Sequence, residues 1–207
     1  LSKNRKETLM ARPRSFEESE ILDAVMMAFW RNGHTATTYR SLETLSGVGI
    51  KSLANTFGDK DELFSKALAR YRTMVEGNLA AMFDPPSLDS IVAIFERASS
   101  PAEGNDPRRG GCLMVNTVFE IGEPGAPVAH EIAQYRELFR SNFQRGLDAE
   151  GIPDSETRAG FLLGALWGAL SQIRLAGNTA AARPMTTIVI ETIRTWAPGA
   201  QAAAVGD

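Results

Sequence analysis

Few side chains in this sequence could act as a nucleophile or base at neutral pH. There is one cysteine, Cys112, and there are two histidines, His34 and His130. Cys112 follows Arg108 and Arg109 and opens a predicted helix. Cationic neighbours and a helix N-terminus both lower a thiol pKa, so capture of an electrophile or oxidant is one chemistry open to it. A small buried core residue is the other reading. A Cys112–His130 pair is conceivable, but nothing in the spacing fixes its geometry. Neither histidine lies in a nucleophile or metal-ligand motif. His34 falls in a loop where capping or phosphate contact suits it better. The sequence therefore reads as a non-enzyme with no cofactor and no metal.

Contact with a polyanion is the second chemistry to weigh. The net charge is −3, but its distribution is uneven. Through Arg72 there are 12 Lys/Arg against 9 Asp/Glu, and beyond it 10 against 16. A basic front and an acidic rear suit a chain whose first third meets phosphate. The hydrophobic share of 43% is enough for a real core. No signal peptide is visible, and no apolar run approaches the roughly 20 residues of a membrane span. The expected location is the cytoplasm, with no membrane partner, and a lone cysteine agrees with a reducing compartment. Met10 is a candidate start, which would make residues 1–9 a leader or a remnant.

The elements that must position these groups are helical throughout. Ser15 and Glu18 have the spacing of a capping box. Ile21, Leu22, Val25, Met26, Ala28 and Phe29 then make one apolar stripe, and Asn32-Gly33 stops it. Short helices are predicted over Tyr39 to Ser46 and Ile50 to Phe57, separated by Gly47-Val48-Gly49. Two short helices around a glycine turn are a helix-turn-helix pattern. Leu42, Leu45, Leu53 and Phe57 should close its core, with Val48 filling the space between the helices. A long helix begins near Lys60, capped by Asp59 and Glu62, with Leu63, Phe64, Ala67, Leu68, Tyr71, Met74, Val75 and Leu79 inward. Further helices are predicted over Ser87 to Ser100, Cys112 to Ile121, Val128 to Glu150, Ser155 to Ala176 and Pro184 to Trp196, with a loop over Pro101 to Gly111. The expected fold is all-α, with about nine helices and no strand. Its expected divisions are a basic arm or leader (1–14), a helix-turn-helix domain (15–62), a larger helical domain (63–197) and a flexible tail (198–207).

From Ser15 to Tyr71 the order and spacing of Ala28-Phe29, Asn32-Gly33, Thr37-Thr38, Leu42, Gly47-Val48, Leu53, Phe57-Gly58, Lys60 and Leu63-Phe64 resemble the DNA-binding domain of the tetracycline-repressor (TetR) family. The resemblance covers about a quarter of the chain. It implies a homodimeric transcriptional regulator, most often a repressor, whose second short helix enters the major groove of operator DNA. Base-reading candidates are then Ile50, Lys51, Ser52 and Asn55, since lysine donates to guanine and asparagine pairs with adenine. Phosphate candidates are Thr38, Tyr39, Arg40, Thr56 and Lys60. Arg12 and Arg14 would serve as an arm to the backbone or minor groove. Three positions depart from the family pattern. Ala54 stands where tyrosine is common, Glu43 where a small residue is usual, and Gly49 where serine or threonine often caps.

Gly160, Gly164 and Gly168 recur every fourth residue in one predicted helix. Glycine costs roughly 1 kcal/mol in a helix interior relative to alanine, so such a stripe suggests close approach of another backbone. The resemblance supplies a partner, a four-helix bundle across a two-fold axis. Phe161, Leu166, Ile173, Ile188, Ile193 and Trp196 would lie in or near it; packing within one subunit is the alternative. The helices between would surround a pocket for an unidentified small-molecule effector. Its candidate lining is Met74, Phe83, Phe95, Cys112, Met114, Thr117, Phe119 and Trp167, with Asn116 and Glu120 as polar anchors. Core filling is the alternative for each. The segment Arg109 to Asn116 is similar to a Gly-Cys segment in one subset of the family, some of whose members sense electrophiles or oxidants.

Overall fold

The computed structural model describes residues 14–197, with side chains from residue 18 onward. Nine α-helices follow one another: α1 (Arg14–Ala36), α2 (Tyr39–Ser46), α3 (Ile50–Phe57), α4 (Lys60–Met82), α5 (Leu88–Ser99), α6 (Leu113–Glu120), α7 (Ala126–Ala149), α8 (Ser155–Ala176) and α9 (Arg183–Thr195). Two 3-10 turns, Pro107–Gly110 and Thr179–Ala182, complete the list, and there is no strand among the described residues.

Local chemistry sets most boundaries. Thr38 caps α2 reciprocally with Ser41, and Asp59 caps α4 reciprocally with Glu62. Ser87 caps α5 by accepting the Ser90 N–H. Gly47 ends α2 at φ 68°, a left-handed conformation that disfavours other residues. Gly33, at φ 81° and ψ 175°, breaks the regular course of α1 and leaves one further turn beyond it. The predicted capping box joins Ser15 to Glu18, and the side chain of Ser15 lies outside the described residues.

One apolar core runs from Val25 and Phe29 of α1 through Leu63, Phe64 and Leu68 of α4 to Phe95, Phe143, Leu162 and Ile193. Helix α4 is the shared element. Its Arg70 grips Asp23 of α1 with two hydrogen bonds of 2.6 and 2.9 Å. Its Arg72 reaches the buried Glu131 of α7 at 2.8 Å. The first pair is half-exposed and is worth no more than about 1 kcal/mol; its two-pronged geometry fixes register more than it adds stability. Two predicted inward residues turn out otherwise. Leu45 is 53% exposed and Met74 39%. Leu42 alone fills the α2 core position, and Met74 sits at the edge of a cavity.

One sequence expectation about hydropathy also needs correction. Helix α8 has 22 residues and contains an 18-residue stretch of mean hydropathy 1.3, long and apolar enough to cross a membrane. Here its Ala159, Leu162, Leu166, Ala169 and Ile173 pack inward, while Gly160, Phe161 and Gly164 are exposed.

Candidate nucleic-acid interface and cavity

Helix α3 buries Leu53 and Phe57 and exposes everything between them. Ile50, Lys51, Ser52, Asn55 and Thr56 therefore stand on a solvent-facing surface beside Ala54, and Thr38 and Arg40 at the start of α2 are exposed too. Two departures from the family pattern answer one another here. Gly49 offers no capping side chain, but the Glu43 carboxylate accepts the Ile50 N–H at 3.4 Å, a long contact that puts negative charge at the α3 N-terminus. At the other end, the Lys66 ammonium donates to the Phe57 carbonyl at 2.7 Å.

Tyr39 and Lys60 fare less well as phosphate ligands. The Tyr39 hydroxyl donates to the Gly58 carbonyl at 2.7 Å, so its proton is already used. Burial, with Asp59 and Glu62 nearby, pushes its pKa up. Lys60 is half-buried and flanked by Asp59 and Asp61, with Glu62 in the same turn. Arg12 lies outside the described residues, as does the side chain of Arg14.

Behind this head lies a cavity of about 140 Å³. Trp30, Tyr71, Leu79, Tyr135, Phe139, Leu166, Leu170 and Ile173 form its apolar wall, with Met74, Asn78, Arg97 and Arg108 adding to the lining. The wall also carries Cys112, whose sulfur lies 3.3 Å from the Tyr71 hydroxyl and 3.2 Å from that of Tyr135. Trp30 donates its indole N–H to the Gly111 carbonyl at 2.9 Å, which pins the start of α6 to α1. Burial pushes both phenols well above their ordinary range, and the neighbouring Cys112 adds to the effect.

The sequence-based view of Cys112 changes accordingly. The arginines before it are engaged elsewhere: Arg108 with Asp106 and Ser100, Arg109 with the Gly104 carbonyl. His130 is exposed, while Cys112 is buried between two tyrosines rather than paired with a histidine. Of the predicted lining residues, the cavity brings together Met74 and Cys112. Phe83, Phe95, Met114 and Thr117 are core residues off the wall, and Thr117 donates to the Leu113 carbonyl. Trp167 lies under the Arg136 guanidinium at 5.7 Å, and its buried indole nitrogen has no partner. Asn116 donates to the Gly110 carbonyl, away from the cavity. Phe119, 72% exposed, belongs to the surface. The tyrosine pair was missed because 64 residues separate its members in sequence and only the α4–α7 packing joins them.

Glu120 lines a second, separate pocket with Asn116, Phe119, Ser171, Arg174 and Leu175, but its carboxylate is engaged elsewhere. Its carboxylate accepts the backbone N–H of Thr35 at 2.7 Å and of His34 at 3.0 Å, just past the α1 kink. His34 bonds through Nε2 to Asp61 at 2.9 Å and packs its ring on Phe64. Helix α6 thus has one end at the cavity wall and the other against the head.

On the far side, the α8–α9 surface is an open apolar groove lined by Gly160, Phe161, Gly164, Met185 and Ile188. A Cβ at Gly160 or Gly164 would meet nothing within 4 Å in this chain, whereas one at Gly168 would touch Met185. Trp196 packs edge-on to Phe161 and under Arg158. Leu166, Ile173 and Ile193 are buried inside the protomer, contrary to their expected place in a subunit interface, because their turn of each helix faces the core.

No family model matches this chain. Among curated proteins, an uncharacterised HTH-type transcriptional regulator of Bacillus subtilis (strain 168), YezE, is 28% identical over 134 residues, spanning 62% of this chain and 64% of that protein's length. Among solved structures, a TetR-family regulator from Cytophaga hutchinsonii superposes with a TM-score of 0.75 at 14% identity, covering 92% of this chain and 98% of that one. The TetR-family regulator CifR, solved as a cysteine mutant complexed with 26-bp double-strand operator DNA, gives 0.71 at 23% identity, covering 90% and 100%. Reduced NemR of E. coli gives 0.75 at 14% identity, covering 88% and 97%. An N-terminal helix-turn-helix, a central cavity and a C-terminal helical pair are thus arranged here in the fold of the TetR-family transcriptional regulators.

Proposed function

We propose that this protein is a ligand-responsive transcriptional repressor that binds a near-palindromic operator as a homodimer and releases it when a small molecule occupies the cavity. The exposed face of α3 carries the reading: Lys51, Ser52 and Asn55 stand free on a helix whose other face is locked by Leu53 and Phe57. Lys51 and Asn55 supply donors suited to guanine and adenine edges in the major groove. Thr38, Arg40 and Thr56 flank them as phosphate contacts. A cation at the position of Arg40 needs no partner inside the protein if the partner is DNA. The operator complex of CifR, a protein of the same fold, supports this use of the head.

The homodimer reading rests on the α8–α9 groove, where Phe161 and Ile188 are more exposed than isolated apolar side chains need be. A second copy placed there by a two-fold axis buries the same patch on both subunits. Two heads must then sit about 34–36 Å apart to enter successive major grooves. The effector reading rests on the cavity, which has the volume for a small apolar molecule. Its wall adjoins α4 and the start of α6, both of which also touch the head. A ligand favouring one arrangement of these helices shifts the population of DNA-competent dimers.

The test is fluorescence-anisotropy titration against the DNA upstream of the protein's own gene, beside a scrambled duplex, at several salt concentrations. Tight binding to the first alone, weakening steeply with salt, is the expected result. No preference for any duplex selected from a random library, even at low salt, would overturn it.

A further inference from the structure

We propose that Glu120 is the clamp that sets the orientation of the DNA-reading head, a positioning role carried by its carboxylate rather than by packing. The proposal rests on the DNA-binding reading above. The backbone after Gly33 leaves the regular helix, so its N–H groups lose their usual partners. Glu120, from an element more than 80 residues away in sequence, accepts two of them, from His34 and Thr35. Hydrogen bonds to a carboxylate are among the stronger kinds. Glycine suits position 33, whose φ of 81° disfavours a side chain, and a Cβ there would lie 2.5 Å from Glu120 Oε2 and push the carboxylate off its two partners.

The clamped segment is stiff and short. Thr37 donates from its buried hydroxyl to the Gly33 carbonyl at 2.6 Å, and α2 begins at Tyr39. His34 is tied in turn to Asp61 in the first turn of α4 and stacks on Phe29. Three elements, α1, α4 and α6, therefore meet at residues 33–35, and α2 with α3 follows from that point. A small rotation there moves Lys51 and Asn55 at the end of the lever. Non-specific attraction to phosphate depends on charge and tolerates such a rotation, whereas base readout does not.

The experiment compares wild type, Glu120→Gln and Glu120→Asp. Glutamine keeps the size but has one acceptor oxygen in place of two; aspartate keeps the charge but is one methylene short. A duplex is selected from a random library with the wild-type protein, and anisotropy gives its affinity beside that for a scrambled duplex at low salt. Amide hydrogen exchange is followed over residues 31–46 and, as a folding control, over α8. Both variants are expected to bind the selected duplex about tenfold or more weaker, with scrambled binding within about twofold of wild type. Residues 33–46 should lose protection while α8 keeps it. A specific-to-scrambled ratio within about twofold of wild type in both variants would overturn the clamp. If the wild type selects no sequence, the DNA reading itself fails. The clamp is then judged by exchange alone: lost protection over residues 33–46 supports it, and unchanged protection overturns it.

Discussion

The Tyr71 hydroxyl donates to the sulfur of Cys112 across 3.3 Å, and the Tyr135 hydroxyl lies 3.2 Å from the same atom. All three side chains are buried, and they join α4, the start of α6 and α7 at the cavity wall. The sulfur is thereby enclosed by phenols rather than by cations. Its nearest polar neighbours are the two hydroxyls, and Arg97 and Arg108 line the same cavity without bonding to the sulfur.

Alkaline titration should reveal this enclosure. All three tyrosines, Tyr39, Tyr71 and Tyr135, have pKa values raised above the ordinary phenol range, mainly by burial. A raised folded pKa gives stability that is fully present below the unfolded value of about 10 and is lost as pH rises through the folded one. Tyrosinate absorbance from Tyr71 and Tyr135 is therefore expected only together with loss of helical circular dichroism. Complete titration near pH 10 with the helices intact would contradict the buried pair.

Cys112 is 3% exposed, and dilute N-ethylmaleimide should leave it unmodified in the native protein and label it in urea. Mass spectrometry reads the difference. Cys112→Ala should lower stability by about 1–3 kcal/mol, since it removes the sulfur that Tyr71 donates to inside the protein. Denaturant melts measure that cost.

The glycines divide by what a methyl group would meet. Gly146 lies against Ser87, where a Cβ would come within 2.9 Å of the carbonyl oxygen, so Gly146→Ala should destabilise despite alanine's better helix propensity. Gly160 and Gly164 face open space in the protomer. If that space belongs to a second subunit, Gly160→Ala and Gly164→Ala weaken dimerisation in analytical ultracentrifugation. If it does not, each gains up to about 1 kcal/mol in thermal stability with the mass unchanged.

Acid should loosen the head. Burial alone would raise the Glu120 pKa, but hydrogen bonds from the Thr35 and His34 amides outweigh it, and the net shift is downward. A lowered folded pKa gives stability present above the unfolded carboxylate value and lost as pH falls through the folded one. Protection factors over residues 33–46, each taken against the intrinsic exchange rate at that pH, should therefore fall on acidification below the ordinary glutamate range in wild type. Glu120→Gln should show lower protection there at neutral pH and less further loss of protection in acid.

Most of the helical plan was legible in the sequence because it is local. Tyr39–Ser46, Ile50–Phe57 and Ser155–Ala176 appear with the bounds that capping residues, glycines and 3.6-residue periodicity predict. The α3 face was legible for the same reason: Leu53 and Phe57 are four apart, and whatever lies between them must face solvent. Local pattern fails where a position could be satisfied by any of several neighbours. Leu45 fits the apolar stripe of α2, but it borders an open surface pocket beside Glu20, Ile21 and Ala24 of α1 and stays exposed.

The tertiary structure alone decided which apolar residues surround the cavity and which merely fill the core. Phe83, Phe95 and Met114 differ from Leu166 and Ile173 not in type or spacing but in which helix lies opposite. It also decided the partners of polar groups. Glu120 and Asn116, four apart on one short helix, reach the α1 kink and the Gly110 carbonyl respectively, because α6 lies with its two ends against different elements. A hydrogen bond between residues 85 apart leaves no trace in either local segment: the sequence by itself determined the helices and the exposed face of α3, and packing alone determined what joins that face to the cavity.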